Sequence, residues 1–139
     1  MKKLLFAIIA TLLICGVAQA ESYIADQKTV AWNPVTTNAD GVALPEGADV
    51  RYRVYIMNSA TSEISEATTD PIVETQYTIT FIAEGKFYFG IKAIRYIGGA
   101  DSIESDIAWS NDPARCIGGE PIDVSHYIAP SMVTGLMVP

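Results

Sequence analysis

Between residues 75 and 93 apolar and polar side chains alternate twice in quick succession. Tyr77, Ile79 and Phe81 fall on one side of the first run, and Phe87, Phe89, Ile91 and Ala93 on one side of the second. A period of two marks a strand that buries one face, and Glu84-Gly85-Lys86 between the runs predicts a tight turn, hence a β-hairpin. Upstream, Val50, Tyr52, Val54 and Ile56 alternate with Arg51, Arg53 and Tyr55, which places the first four inward. Val30 and Trp32 share a face of a shorter strand, stopped at Asn33-Pro34 because proline cannot donate to a ladder. Residues 35–49 carry Asp40-Gly41, Pro45 and Glu46-Gly47, the composition of an exposed loop. One short edge strand is expected within residues 62–73, and a last strand within 103–109, reached through the Gly98-Gly99 turn. Beyond the first twenty residues no run of ten shows a 3.6-residue period, so helices should be nearly absent. Several short strands with turn residues between them predict an all-β, antiparallel sandwich.

The N-terminus changes the picture of location. Met1-Lys2-Lys3, an apolar stretch from Leu4 to Val17 and Ala18-Gln19-Ala20 have the pattern of an export signal cut after residue 20. The apolar stretch is short for a bilayer span, so no membrane insertion is expected after cleavage. Ile14 before Cys15 is too large for a lipoprotein signal. The expected organisation is a signal peptide over 1–20, a single domain over 21–111 and a C-terminal tail over 112–139. Lys2 and Lys3 leave with the signal, so 7 basic residues face 16 acidic ones, a formal charge of −9. That balance argues against nucleic acid, whose partners cluster Lys and Arg. Cys116 is the one cysteine left, which excludes an internal disulfide and leaves its own role open.

Four elements in order resemble the fibronectin type III family over about residues 28–111. Val30-Ala31-Trp32-Asn33-Pro34 is similar to its second strand, Tyr52-Arg53-Val54-Tyr55 to its third, Thr75-x-Tyr77-Thr78-Ile79 leading to Phe81 to its fifth, and Phe87-x-Phe89-x-Ile91-x-Ala93 to its sixth. Glu104-Ser105 with Ser110-Asn111 is similar to the last strand of bacterial members. The resemblance implies an immunoglobulin-like sandwich with Trp32 in its core, and a bacterial secreted, periplasmic or cell-surface location. It departs at Phe87, where the family's tyrosine corner has a tyrosine, and in the 96–102 loop, which has no Arg-Gly-Asp. The expected function is a non-catalytic structural or protein-interaction module whose partner is a protein or surface polymer. The alternatives are a carbohydrate-binding module and a filament subunit joined by strand donation.

Candidate chemistry is sparse, and neither a cofactor nor a metal site is expected. His126 has no second histidine beside it, and Asp101, Glu104 and Asp106 match no calcium loop. Asp123, Ser125 and His126 contain the residue types of a catalytic triad, yet neighbours in an extended tail point apart and no nucleophile turn surrounds the serine. The expectation is no enzyme. Tyr55, Tyr88 and Trp109 are the candidate binding surface, because exposed rings suit sugar stacking or a protein interface. Residues 130–138, with Val133, Leu136 and Val138, resemble the family's opening strand at the wrong end of the domain. Three origins stand open for them: the remnant of a second domain, a strand that folds back on this one, or a strand given to a neighbouring subunit.

Overall fold

The computed structural model describes residues 21–98 and 101–131. The expected signal peptide and Val133, Leu136 and Val138 lie outside the described residues. The strands are β1 (Glu21–Ile24), β2 (Gln27–Ala31), β3 (Asp49–Asn58), β4 (Ile64–Glu66), β5 (Gln76–Thr80), β6 (Gly85–Gly98), β7 (Asp101–Glu104), β8 (Ala108–Trp109) and β9 (Ile122–His126). One 3-10 turn, Ile117–Gly119, is the helical content of the described residues. The described residues are all-β apart from that turn, as the alternation predicts.

The strands form two sheets. The larger has seven strands in the order β1-β9-β6-β3-β4, with β7 and β8 also on β6, and the smaller pairs β2 with β5. Every pairing is antiparallel except β1 with β9. Val30 and Ile79 from the smaller sheet, Val54, Phe87 and Val124 from the larger, and Phe81 between them make one buried cluster. Burial of these faces from both sheets is what holds the layers together. Phe87, where the resemblance lacks its tyrosine, is buried there and stacks on Phe81 at 5.2 Å.

Several expectations need correction. β5 and β6 are not a hairpin: β5 pairs with β2 and β6 with β3, so residues 81–84 arch from one sheet to the other. Both flanking aromatics point into the core, and the arch lets each strand keep its apolar face while changing sheet. Nor do residues 112–139 form a tail as a whole. Ile122–His126 is β9, bonded on one side to β6 and on the other to β1, and Val124 has no exposed surface. The expected last strand is also broken into β7 and β8, both against β6. The long loop holds a small turn of its own, in which the Asn38 N–H donates to Val42 O at 2.8 Å around Gly41 at φ 82°.

Trp32, expected in the core, is half-buried at its edge, with its ring against Tyr52 at 5.4 Å. Ser125 and His126 are buried in β9, contrary to their expected place in a polar tail.

Candidate functional site

Alternation in β3 and β6 sends Arg51, Arg53, Tyr55 and Met57, together with Tyr88, Lys92 and Tyr96, to the face of the larger sheet that points away from the core. Pairing fixes their order. Tyr55 lies opposite Gly90, and Gly90 opposite Trp109 on its other side, while Tyr88 lies opposite Met57. The three candidate aromatics are therefore brought together on one face.

Gly90 is the reason they fit. A Cβ there would stand 2.5 Å from Ile107 Cγ2 and 2.7 Å from Trp109 Cε3, so the indole occupies the space that any other residue would fill. The rings differ in access. Tyr55, expected to be open, is 8% exposed, whereas Tyr88 and Trp109 are half-buried. Together the three form a part-covered aromatic floor.

Charged groups cross the same face in a row. Arg53 Nη1 is 3.4 Å from Glu66 Oε1, and Lys92 Nζ donates to Glu104 Oε2 at 2.9 Å. Arg53 and Lys92 are direct cross-strand partners, a repulsive pair that the two flanking carboxylates compensate. The hydrogen bond to Glu104 raises the Lys92 ammonium above its ordinary value, against a smaller opposing effect of burial. Its Nζ also stands 5.9 Å from the centre of the Tyr55 ring. Further along, Arg51 is held by both oxygens of Asp49, at 3.1 and 3.0 Å, and lies 4.9 Å from the Tyr96 ring centre. Exposed pairs of this kind contribute little to stability, because water and salt screen them. Their larger effect is to present a mixed-charge border beside the aromatic floor.

The catalytic arrangement suggested by residue types alone is not assembled. Asp123 and Ser125 face outward from β9, while His126 faces the core with Val124 and stacks on Phe81 at 6.4 Å. Its Nδ1 is 3.1 Å from Asp26 Oδ1, and Ser125 stands beside Lys86 in the register, away from the imidazole. Asp123 instead ties three strands: Oδ1 accepts from Ser22 Oγ at 2.6 Å, and Oδ2 lies 2.9 Å from Lys86 Nζ. This bond raises the Lys86 ammonium. The carboxylate is 1% exposed. Sequence reasoning misses this clasp, since its members are far apart in the chain. Glu104, grouped with Asp101 and Asp106 as a calcium candidate, is engaged by Lys92, and no group of three metal-ligating side chains occurs among the described residues.

Cys116 is half-buried beside β8, its thiol donating to Ser110 O at 3.3 Å. Burial pushes its pKa up, which keeps it protonated and slow to react at neutral pH. In comparison with known proteins, the chain matches no family model and no curated protein.

Proposed function

We propose that the chain is an exported, non-catalytic interaction module of the fibronectin type III kind, acting in a bacterial periplasm or at the cell surface. Its partner is a protein engaged through the outer face of the larger sheet. The family reading is supported by two pairings: the Val30-x-Trp32 strand with the Tyr77-x-Ile79 strand, and the Tyr52–Tyr55 stretch with Phe87–Ala93. The observation that carries the functional reading is the outer face itself. Trp109 seated on Gly90 beside Tyr55 and Tyr88 gives an amphipathic aromatic surface, and the Glu66–Arg53 and Lys92–Glu104 pairs give it a charged border. Aromatic centres with polar rims are the anatomy of protein interfaces.

Carbohydrate binding is the weaker reading, because stacking on a sugar needs open ring faces and Tyr55 offers almost none. The test is crosslinking of the purified chain to surface proteins of its own cells, compared with a Tyr88→Ala/Trp109→Ala variant of unchanged melting temperature. Loss of a specific crosslinked partner in the variant is expected. Retention of every partner would refute the outer face as the interface, and binding to a glycan array by the parent chain alone would move the assignment to carbohydrate.

A further inference from the structure

Among the described residues, the smaller sheet has an open edge at β2. The Trp32 N–H donates to Thr75 O and the Phe81 N–H to Asp26 O, both at 2.9 Å, so the backbone groups of Asp26, Lys28, Val30 and Trp32 point toward β5. Those of Gln27, Thr29 and Ala31 therefore point the other way, where no strand of the described residues pairs with them. A row of unpaired backbone donors and acceptors is a template for another strand. At the Ala31 end of this edge lies a groove of about 330 Å³, mainly apolar, lined by Trp32, Phe89, Ile91, Ala108 and Ile122, with Arg115 as its one charged lining residue. The Trp32 Nε1–H has no acceptor among the described residues. An open ladder edge above an apolar groove is the geometry of strand addition: main-chain bonds supply affinity, and alternate side chains fill the groove.

The segment beyond β9 has the chemistry of an occupant. Residues 127–139 contain no charged side chain, in a chain that carries a net negative charge, and Val133, Leu136, Met137 and Val138 supply β-compatible apolar side chains. An uncharged strand is what an apolar groove accepts without desolvation cost. The exit path decides whose strand it is. His126 Nδ1 lies against Asp26, just before β2 begins, and the Ile128 N–H donates to Glu84 Oε1 at 2.8 Å, in the arch that leaves β5. The chain thus departs at the starting end of β2 and on the β5 side. To lie antiparallel along its own β2 it would first climb past all five residues of that strand, roughly 16 Å at 3.3 Å per residue, and then reverse. To lie parallel it would cross the Ala25–Asp26 connection at the same end, a path that folds avoid. A second copy has neither restriction.

We propose that residues 132–138 of one copy add to the free edge of β2 in the next, antiparallel to it, with apolar side chains in the Trp32 groove. The contact is head-to-tail, so it propagates or closes into a ring according to the rotation between copies. This proposal stands independently of the outer face. The test is sedimentation of the purified full chain across a concentration series, beside a variant lacking residues 132–139 and a synthetic peptide of residues 129–139. The expected results are concentration-dependent growth of the full chain, a monomeric deletion variant, and capture of the peptide by that variant with new hydrogen-exchange protection at the Thr29 and Ala31 amides. Ala31→Pro, which removes an outward-pointing N–H from an edge strand, should weaken peptide capture at least tenfold. Protection of those amides reads the same contact without any substitution in β2. Assembly that survives the deletion would overturn the proposal. So would a full chain that stays monomeric, whether its Thr29 and Ala31 amides are protected, which would mean a segment closing its own edge, or open.

Discussion

Replacing Gly90 by alanine adds a single methyl group at the point where the outer face is tightest. The backbone there is ordinary extended chain, so alanine by itself would stabilise by about 0.4–1 kcal/mol through the unfolded state. Against this stands the overlap, because the new carbon would sit 2.5 Å from Ile107 Cγ2 and within 2.8 Å of two Trp109 ring atoms. Neither neighbour is the loose end of a long side chain. Ile107 Cγ2 is one bond from its Cβ, and Trp109 is held by its pairing to Gly90 and by the Ser110 N–H donating to Phe89 O at 2.8 Å. Forcing a methyl into packed space costs about 1–3 kcal/mol, so a net loss of about 1–2 kcal/mol is expected, or a melting temperature lower by roughly 4–8 °C for a domain of this size. The indole must tip outward. In a Trp32→Phe background its emission should therefore shift to the red, and solvent quenching should rise. An unchanged spectrum with an unchanged or higher melting temperature would refute the placement of Trp109 over Gly90, and with it the aromatic floor on which the proposed interface rests.

The same geometry sets three further outcomes. Asp123→Ala removes the acceptor for Ser22 and Lys86 and should cost about 1–3 kcal/mol in denaturant unfolding, at the lower end because Lys86 can turn to solvent; a loss below about 0.5 kcal/mol would mean that the clasp contributes nothing. Lys92 has its pKa raised by Glu104, so its contribution to stability is complete below the ordinary lysine value of 10.5 and is lost as pH rises through the higher folded value; in unfolding titrations from pH 9 to 12 the gap between the parent and Lys92→Gln should close, and a gap constant with pH would show that the pair is not coupled to folding. Because burial pushes the Cys116 thiol up, alkylation by iodoacetamide at pH 7.5 should be much slower in the native chain than in urea, and equal rates would show an open thiol.

The sequence carries the faces of the strands more faithfully than their neighbours. Alternation identifies which side of a run is apolar, and for Val54, Ile79, Phe81 and Phe87 that side is the core. It is silent on where the next strand lies. A hairpin and an arch both join two one-faced strands through a short polar turn, so Glu84-Gly85-Lys86 is compatible with either, and only the pairing partners of β5 and β6, contributed by distant β2 and β3, decide between them. β9 escapes sequence reading for a related reason. Ile122-Asp123-Val124-Ser125-His126 does alternate, but aspartate and histidine look like solvent-facing residues until their partners are known. Ser22 lies 101 positions away in the chain, and Lys86 in another strand again. A buried polar side chain is legible only together with the group that satisfies it.

The outer face shows the same limit from the opposite direction. Tyr55, Tyr88 and Trp109 are recognisable in the sequence as aromatics away from the core, and the structure does gather them. Their exposure is not recognisable there, because Tyr55 lies opposite Gly90 and the indole that fills the space over Gly90 comes from a distant strand. Gly90 occupies a strand position where glycine is unfavourable for lack of packing and for its entropy, and that cost is offset only if another group needs the space. A lone glycine between Phe89 and Ile91 is therefore the one local signal that something from elsewhere lies flat on this face, and a tryptophan two strands away is large enough to be that group. Unfavourable residues inside otherwise regular strands, Gly90 on the outer face and Asp123 between β6 and β1, point to long-range contacts where favourable ones report only the strand.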